Sequence, residues 1–277
     1  MKTCRLLTIA LALLLVAIPI SANAYRYRQY YSPSVIALAS TPTPTPTPIT
    51  TTLQLGAFNA KTGTIQAYFV GWGDDVVCAT GQTTFIYWEN YGYSLDSIIN
   101  GSQDGVIKNF AGKVCPNTIV SLFHEMNGNW SPWDGAHNST TKVIAAYKHI
   151  HDLMGSKVKY AWVVNNVSVP DTASNRLENY YPGDNYVDYV GVDAFAFGRE
   201  SFSQLVPTSL LTRLKAYNKP VWVTSFGYPS SSAQSNWITS VVTYAKSNNI
   251  GALIYFNYYD PDIDFRLTSA SLAAFHQ

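Results

Sequence analysis

Charge is what this chain of 277 residues has least of: Asp, Glu, Lys and Arg make up 13% of it and nearly cancel, to a formal +1. That is about half the usual charged share, and it argues against nucleic acid as a partner, which requires clustered Lys and Arg opposite phosphates. Apolar length is short as well. The run at residues 6–20 falls below the roughly 20 residues a bilayer span needs. It is preceded by Lys2 and Arg5 and followed by the small-residue pattern Ser21-Ala22-Asn23-Ala24, so it reads as a cleaved secretory signal peptide over 1–24 rather than a membrane anchor. Cysteine is scarce, with three in all. Cys4 leaves with the signal, and Cys78 and Cys115 remain as an even pair in an oxidising setting, which predicts a disulfide worth about 3 to 4 kcal/mol in the chain-entropy model.

Residues 25–52 contain Thr-Pro repeated from Thr41-Pro42 through Thr47-Pro48. Such prolines favour extended polyproline II and remove backbone donors, so this segment is a linker rather than a domain. Residues 53–277 are enough for one domain with a large core, and no second boundary is visible. Asn100-Gly101-Ser102, Asn138-Ser139-Thr140 and Asn166-Val167-Ser168 fit the N-glycosylation pattern.

Short apolar or β-branched runs recur at 53–58, 66–71, 84–88, 119–124, 158–164, 187–193, 220–225 and 251–257. Between most of them lie stretches with helical spacing of apolar residues, at 95–110, 141–154, 203–217 and 235–248. Alternating strands and helices imply parallel pairing, and eight strands in this length predict an α/β fold, a (β/α)8 TIM barrel. Only residues 59–65 separate the first two runs, too few for a crossover helix, so the first unit is expected to be abbreviated. In such a barrel His124, Glu125, Asn165, Asp193, Ser225 and Asn257 all stand at strand ends facing one mouth.

Aromatics make up 14% of the chain, and their placement around Phe123-His124-Glu125-Met126-Asn127-Gly128-Asn129-Trp130-Ser131-Pro132-Trp133 points to carbohydrate. Glycoside hydrolysis needs a carboxylic acid to protonate the leaving oxygen, a role that suits Glu125. Trp130, Trp133 and Trp162 offer flat faces for pyranose rings, whereas Trp222 lies inside its strand and reads as core. A zinc site of the His-Glu-x-x-His type fails because position 128 is glycine, and no metal or other cofactor is expected. Ser225 does not sit in a Gly-x-Ser-x-Gly elbow, because position 223 is valine.

The segment His124-Glu125-Met126-Asn127-Gly128-Asn129-Trp130 resembles the acid/base signature of glycoside hydrolase family 26, best known for endo-β-1,4-mannanases. Tyr180-Tyr181-Pro182-Gly183-Asp184, Tyr186 to Asp193, Lys219-Pro220-Val221-Trp222 and Asp264-Phe265-Arg266 agree with that resemblance. The resemblance implies a retaining mechanism with Glu125 as acid/base and Trp130 beside the cleavage point. It further implies substrate contacts from His124, Asn127, Trp130, Trp133, Trp162, Asp193, Phe195, Tyr228, Phe265 and Arg266.

Three positions depart from the family pattern. The nucleophilic glutamate falls at Ser225, the tyrosine that bonds it falls at Phe195, and a tryptophan falls at Phe265. Serine is neutral near neutral pH and too short to attack the anomeric carbon, so retaining hydrolysis is expected to be lost. Two alternatives stand beside that expectation. One is an active endo-glycanase (mannanase, lichenase or β-1,3-xylanase) in which Asp193, Glu200 or Asp260 activates a water; the other is a non-catalytic cell-surface scaffold. The expected partner is a β-linked polysaccharide of the β-mannan type, with the chain secreted and monomeric and with no membrane span after cleavage of the signal.

Overall fold

The computed structural model describes residues 52–277. The expected signal peptide, and the linker up to residue 51, lie outside the described residues. Eight strands close into a barrel in chain order: β1 (Gln54–Phe58), β2 (Ile65–Gly71), β3 (Thr83–Glu89), β4 (Thr118–Leu122), β5 (Lys159–Asn165), β6 (Tyr189–Phe195), β7 (Val221–Gly227) and β8 (Ala252–Tyr255). Every neighbouring pair is parallel, including β8 against β1.

The helices pack outside. α1 (Leu95–Ile99) and α2 (Asp104–Lys113) follow β3, and α3 (Thr140–Met154) follows β4. α4 (Phe202–Leu205) and α5 (Thr208–Lys215) follow β6, α6 (Gln234–Ser247) follows β7, and α7 (Ser269–Phe275) follows β8 after a small hairpin of β9 (Tyr259–Asp260) and β10 (Ile263–Asp264). Among the described residues no helix is long and apolar enough to cross a membrane.

α3 shows why the sequence forms these elements. Ser139 caps it, its side chain accepting from Lys142 N, and Val143, Ala146, Tyr147, Ile150 and Met154 put one apolar stripe against the barrel. Two stretches expected as single helices are each divided. Residues 95–110 break after Ile99, where the Asn100 side chain accepts from Ser102 N and Oγ in a local turn. Residues 203–217 break at Pro207, which cannot donate its nitrogen to a helical ladder and instead opens α5.

The expected abbreviated first unit is present: β1 and β2 pair in parallel with no helix between them. The irregularity extends further than expected, because no helix joins β2 to β3 and only 3₁₀ turns join β5 to β6. The helix-free connection before β3 is tied by the Cys78–Cys115 disulfide, whose Cα atoms stand 6.0 Å apart. Ala79 N donates to Thr84 Oγ1 and Thr118 Oγ1 donates to Cys115 O. The bridge therefore lies by the N-terminal ends of β3 and β4, at the opposite end of the barrel from the expected mouth.

Strand alternation sorts the core into two layers. Phe58, Phe85, Tyr87, Ile119, Val163 and Trp222 face the bore, while Ile86, Val120, Trp162, Val164 and Val223 face the helices. Trp222 is 2% exposed and packs on Tyr189 and Phe85, a core position as expected.

The alternation breaks once, at the site. Along β7 the register against β6 runs Val192↔Val223 and then Asp193↔Ser225, so one extra residue is inserted, and the pairing with β8 slips at the same place. This bulge carries Thr224 and Ser225 past a single partner.

Candidate active site

Glu125 follows β4 in a strained turn. Phe123 and Glu125 have φ of 53° and 54°, a left-handed conformation that non-glycine residues adopt at a cost of about 1 to 3 kcal/mol each. Two bonds hold the turn: Glu125 N donates to Val163 O on the neighbouring β5 at 3.0 Å, and within the turn Gly128 N donates to Glu125 O at 2.8 Å. Gly128 is required by close approach, since a Cβ there would stand 2.5 Å from the Trp130 ring. The indole folded over Gly128 sends Nε1–H to Glu125 Oε2 at 2.7 Å, and Asn165 Nδ2, from the end of β5, donates to Oε1 at 2.9 Å. Both carboxylate oxygens are thus fixed by donors from different elements, which leaves the side chain little rotational freedom.

Facing this group, Asp193 on β6 accepts at Oδ1 from both Tyr87 Oη and Thr224 Oγ1, each at 2.7 Å. Burial pushes the Asp193 carboxyl up to about 8, and the nearby Glu125 charge adds to that; the charge on His124 and the two hydroxyl bonds pull the other way. Tyr87 is held protonated, well above the usual phenol range, by burial and then by Asp193.

His124 Nε2 stands 3.2 Å from Glu89 Oε1 in a buried pair. Burial alone would lower the imidazole, but the Glu89 bond and charge, followed by Glu125 and Asp193, outweigh it and raise it. His124 Nδ1 is buried without a protein partner.

Ser225 is 3% exposed and pairs in register with Asp193. Phe195, two residues beyond Asp193, is half-buried and sets its ring edge-on to Phe256 at 5.3 Å and Phe265 at 5.6 Å. Gly227 allows that packing, since a Cβ there would meet Phe265 at 2.7 Å and Phe195 at 3.1 Å.

The structure places the other residues expected as contacts as follows. Trp162 is fully buried on the helix side of β5, edge-on to Tyr181 and Tyr217, because its position in the strand alternation faces outward. Trp133 is also fully buried, its Nε1–H spent on His124 O. Asn127 is fully buried and clamps the loop after β4 to the end of β5, accepting from Asn165 N and donating to Asn165 O and Val167 O. Tyr228 packs on Trp237 and donates to Gly198 O, and Phe265 is 1% exposed among Phe195 and Phe256. Arg266 is exposed but committed to Asp264 through two bonds of 2.9 and 2.8 Å. Trp130 stays at the site as the donor that fixes Glu125, at 6% exposure, rather than as an open platform.

Beside Glu125, His124 and Asp193 lie Asn165, already expected at a strand end, and three residues the sequence reading did not single out. Tyr87, Glu89, Asn165 and Thr224 form the polar lining. Half-buried Phe69 and Tyr258 form an aromatic group with Phe58 and Phe256, Phe69 reaching within 6.2 Å of the His124 ring. One signal for the β3 pair was available: Tyr87 and Glu89 are two apart at the end of a predicted strand, the spacing that puts both on one face.

A closed parallel barrel with a doubly held carboxylate after β4 and a second acid across from it on β6 defines a glycoside hydrolase-type barrel. Residues 74–261 match the family model described as glycosyl hydrolase family 26, and the chain belongs to that family. Endoglucanase H of Acetivibrio thermocellus is 29% identical over 73% of this chain, which covers 25% of that protein. The mannan endo-1,4-beta-mannosidase of Bacillus subtilis is 25% identical over 67% of this chain and 50% of that protein. The chain thus spans between a quarter and a half of the length of these curated relatives. Among solved structures, a GH26 beta-mannanase from Bacteroides ovatus superposes with a TM-score of 0.64 at 14% identity, covering 80% of this chain and 87% of that one. That likeness concerns the fold.

Proposed function

We propose that this chain is a secreted family 26 protein that binds a β-linked polysaccharide of the β-mannan type, with retaining hydrolysis lost. In this reading Glu125 is the acid/base residue and Ser225 holds the place of the nucleophile. The observation that carries it is the composition of the side opposite Glu125: a serine at the β7 bulge, a phenylalanine at Phe195, and an Asp193 carboxyl that burial favours as the neutral acid. Without a carboxylate there, the oxocarbenium-like transition state loses its negative partner and its covalent intermediate, a cost of several decades in rate. A mannan-type ligand is supported by the substrate named for the Bacillus subtilis relative.

A working hydrolase with a displaced base draws support from Asp193, the carboxylate paired in register with Ser225. Its two accepted hydroxyl bonds and raised pKa oppose the role. Glu200 Oε2 is taken up by the backbone N–H groups of Phe197 and Arg199, and Asp260 sits in the β9–β10 hairpin accepting from Asp262 N. A scaffold role leaves unexplained why Glu125 is gripped by both Trp130 and Asn165 at the cost of a strained turn.

The test is reducing-end release from mannan, mixed-linkage glucan and β-1,3-xylan by the native chain beside S225E. A silent native chain and a variant that cleaves one glycan support the reading and identify the ligand. Cleavage by the native chain at the rate of the variant overturns it.

A further inference from the structure

We propose that Asn100 is the acceptor of an N-linked glycan on the exported chain, and that Asn138 and Asn166, which carry the same motif, are not. The inference rests on the secreted part of the reading above and on neither Glu125 nor Ser225. An Asn-x-Ser/Thr motif takes a glycan where it lies on the surface with its carboxamide nitrogen open to a transferase. By sequence the three motifs are equivalent; by geometry they separate.

Asn100 is exposed and caps α1 at its C-terminus. Its Oδ1 accepts from Ser102 N at 3.0 Å and from Ser102 Oγ at 2.6 Å, so the first and third residues of the motif are joined in one turn, which Gly101 at a φ of 84° allows. Both bonds fall on the oxygen, and among the described residues Asn100 Nδ2 donates to no protein atom. Protons bonded to Oδ1 draw density from the carboxamide and make an Nδ2 proton easier to lose, which an amide nitrogen, ordinarily a poor nucleophile, requires. The space around the turn is open: a Cβ added at Gly101 would meet nothing closer than 3.6 Å.

The other two nitrogens are committed. Asn138, half-buried in the loop that carries Trp130 and Trp133, spends both Nδ2 protons, on Pro132 O at 2.8 Å and Asp134 O at 3.3 Å. Asn166, also half-buried, donates Nδ2 to Leu205 O at 2.9 Å and so ties the loop after β5 to the end of α4. The third residue of that motif is taken as well, since Ser168 Oγ accepts from Asn127 Nδ2 at 3.3 Å. A sugar on Asn138 would replace a proton already bonded, and one on Asn166 would have to enter between the β5 loop and α4.

The donor is an oligosaccharide carried on a polyprenyl diphosphate, delivered by a membrane-bound transferase. Asn100 Nδ2 forms a bond to the anomeric carbon of the first sugar and gives one proton to the transferase. The bond from that carbon to the diphosphate oxygen breaks, and its electron pair leaves with the lipid diphosphate.

The test produces the full chain in cells whose export pathway glycosylates Asn-x-Ser/Thr motifs, beside N100Q, S102A and S102T. Protein from the medium is mapped by peptide mass before and after treatment with a peptide N-glycosidase. The expected result is one glycan, on the peptide holding Asn100, with Asn138 and Asn166 bare. N100Q and S102A should lose it entirely, and S102T should keep it. A native chain that reaches the medium unmodified at Asn100 overturns the proposal and leaves the export reading standing. A native chain that stays inside the cells without a glycan removes the export reading and this proposal with it. Occupancy of Asn138 or Asn166 equal to that of Asn100 on the exported chain also overturns it, since folding would then not select among the motifs.

Discussion

Putting glutamate at position 225 introduces a carboxylate into a buried position held by a neutral side chain, and the stability cost follows from the geometry. Ser225 is 3% exposed and lies in register with Asp193, whose own carboxyl already responds to Glu125. A buried charge without a partner costs about 3 to 5 kcal/mol. At about 2 to 4 °C per kcal/mol for a domain of this size, S225E should melt roughly 6 to 20 °C below the native chain. Phe195→Tyr supplies the missing phenol donor, and a hydrogen bond to a charged group returns about 1.5 to 3 kcal/mol. The double variant S225E/F195Y should therefore recover about half of the loss, whereas F195Y alone should gain nothing for want of a carboxylate to bond. Thermal unfolding of the four proteins at pH 7, with glycan cleavage measured in parallel, forms a double-mutant cycle. If the double variant melts where the two single effects sum, positions 195 and 225 are uncoupled and the proposed pairing of Ser225 with Phe195 has no structural basis.

Asp193 sets a pH dependence whose sign can be worked out. Its folded pKa, pushed up to about 8 by burial and by Glu125, exceeds the unfolded value of about 3.9. Between those values the folded state binds the extra proton, so this group's contribution to stability is lost as pH climbs from about 4 to about 8. An asparagine there still accepts from Tyr87 and Thr224 but has no proton to lose. D193N should thus match the native chain near pH 4 and gain on it toward pH 8 in urea unfolding, and a constant difference would refute the assignment. W130F removes the 2.7 Å bond to Glu125 Oε2; it should cost about 1.5 to 3 kcal/mol in urea unfolding, and an unchanged stability would show that the bond does not hold the turn. C78S/C115S opens a disulfide spanning 37 residues, a loss of about 4 kcal/mol in the chain-entropy model. Because the bridge lies at the end of the barrel away from Glu125, glycan affinity at 20 °C should not change, and a lowered affinity would place the tether closer to the site than the structure does.

The barrel was legible in the sequence because parallel strands covered on both faces read as continuous β-branched and aromatic runs, and each of the eight was found within a few residues of its observed bounds. The helices were less so. Apolar spacing ran unbroken through 95–110, yet the Asn100 turn divided it, a choice between local side-chain bonding and helical propagation that periodicity does not weigh. The short α7 (Ser269–Phe275) was missed, and the helix-free β2–β3 and β5–β6 crossovers carried no signal. At the site, the local motif around Glu125 was readable, because Trp130 is five residues away. The bonds Tyr87–Asp193 and Glu89–His124 join residues 106 and 35 apart and become visible only when strands are placed side by side. The burial of Trp130 and Trp133 was not legible either: their loop folds back, and each indole N–H finds a partner inside it.

The β7 bulge separates two tasks that a regular strand would assign to one side chain. With Thr224 and Ser225 both passing a single β6 partner, Thr224 anchors Asp193 and Ser225 is left without a part in that anchor. Exchange of residue 225 for another small neutral side chain therefore leaves the bond that ties β6 to β7 in place. A barrel arranged in this way can vary the side chain at position 225 within its size and charge while keeping the contact that sets β6 against β7.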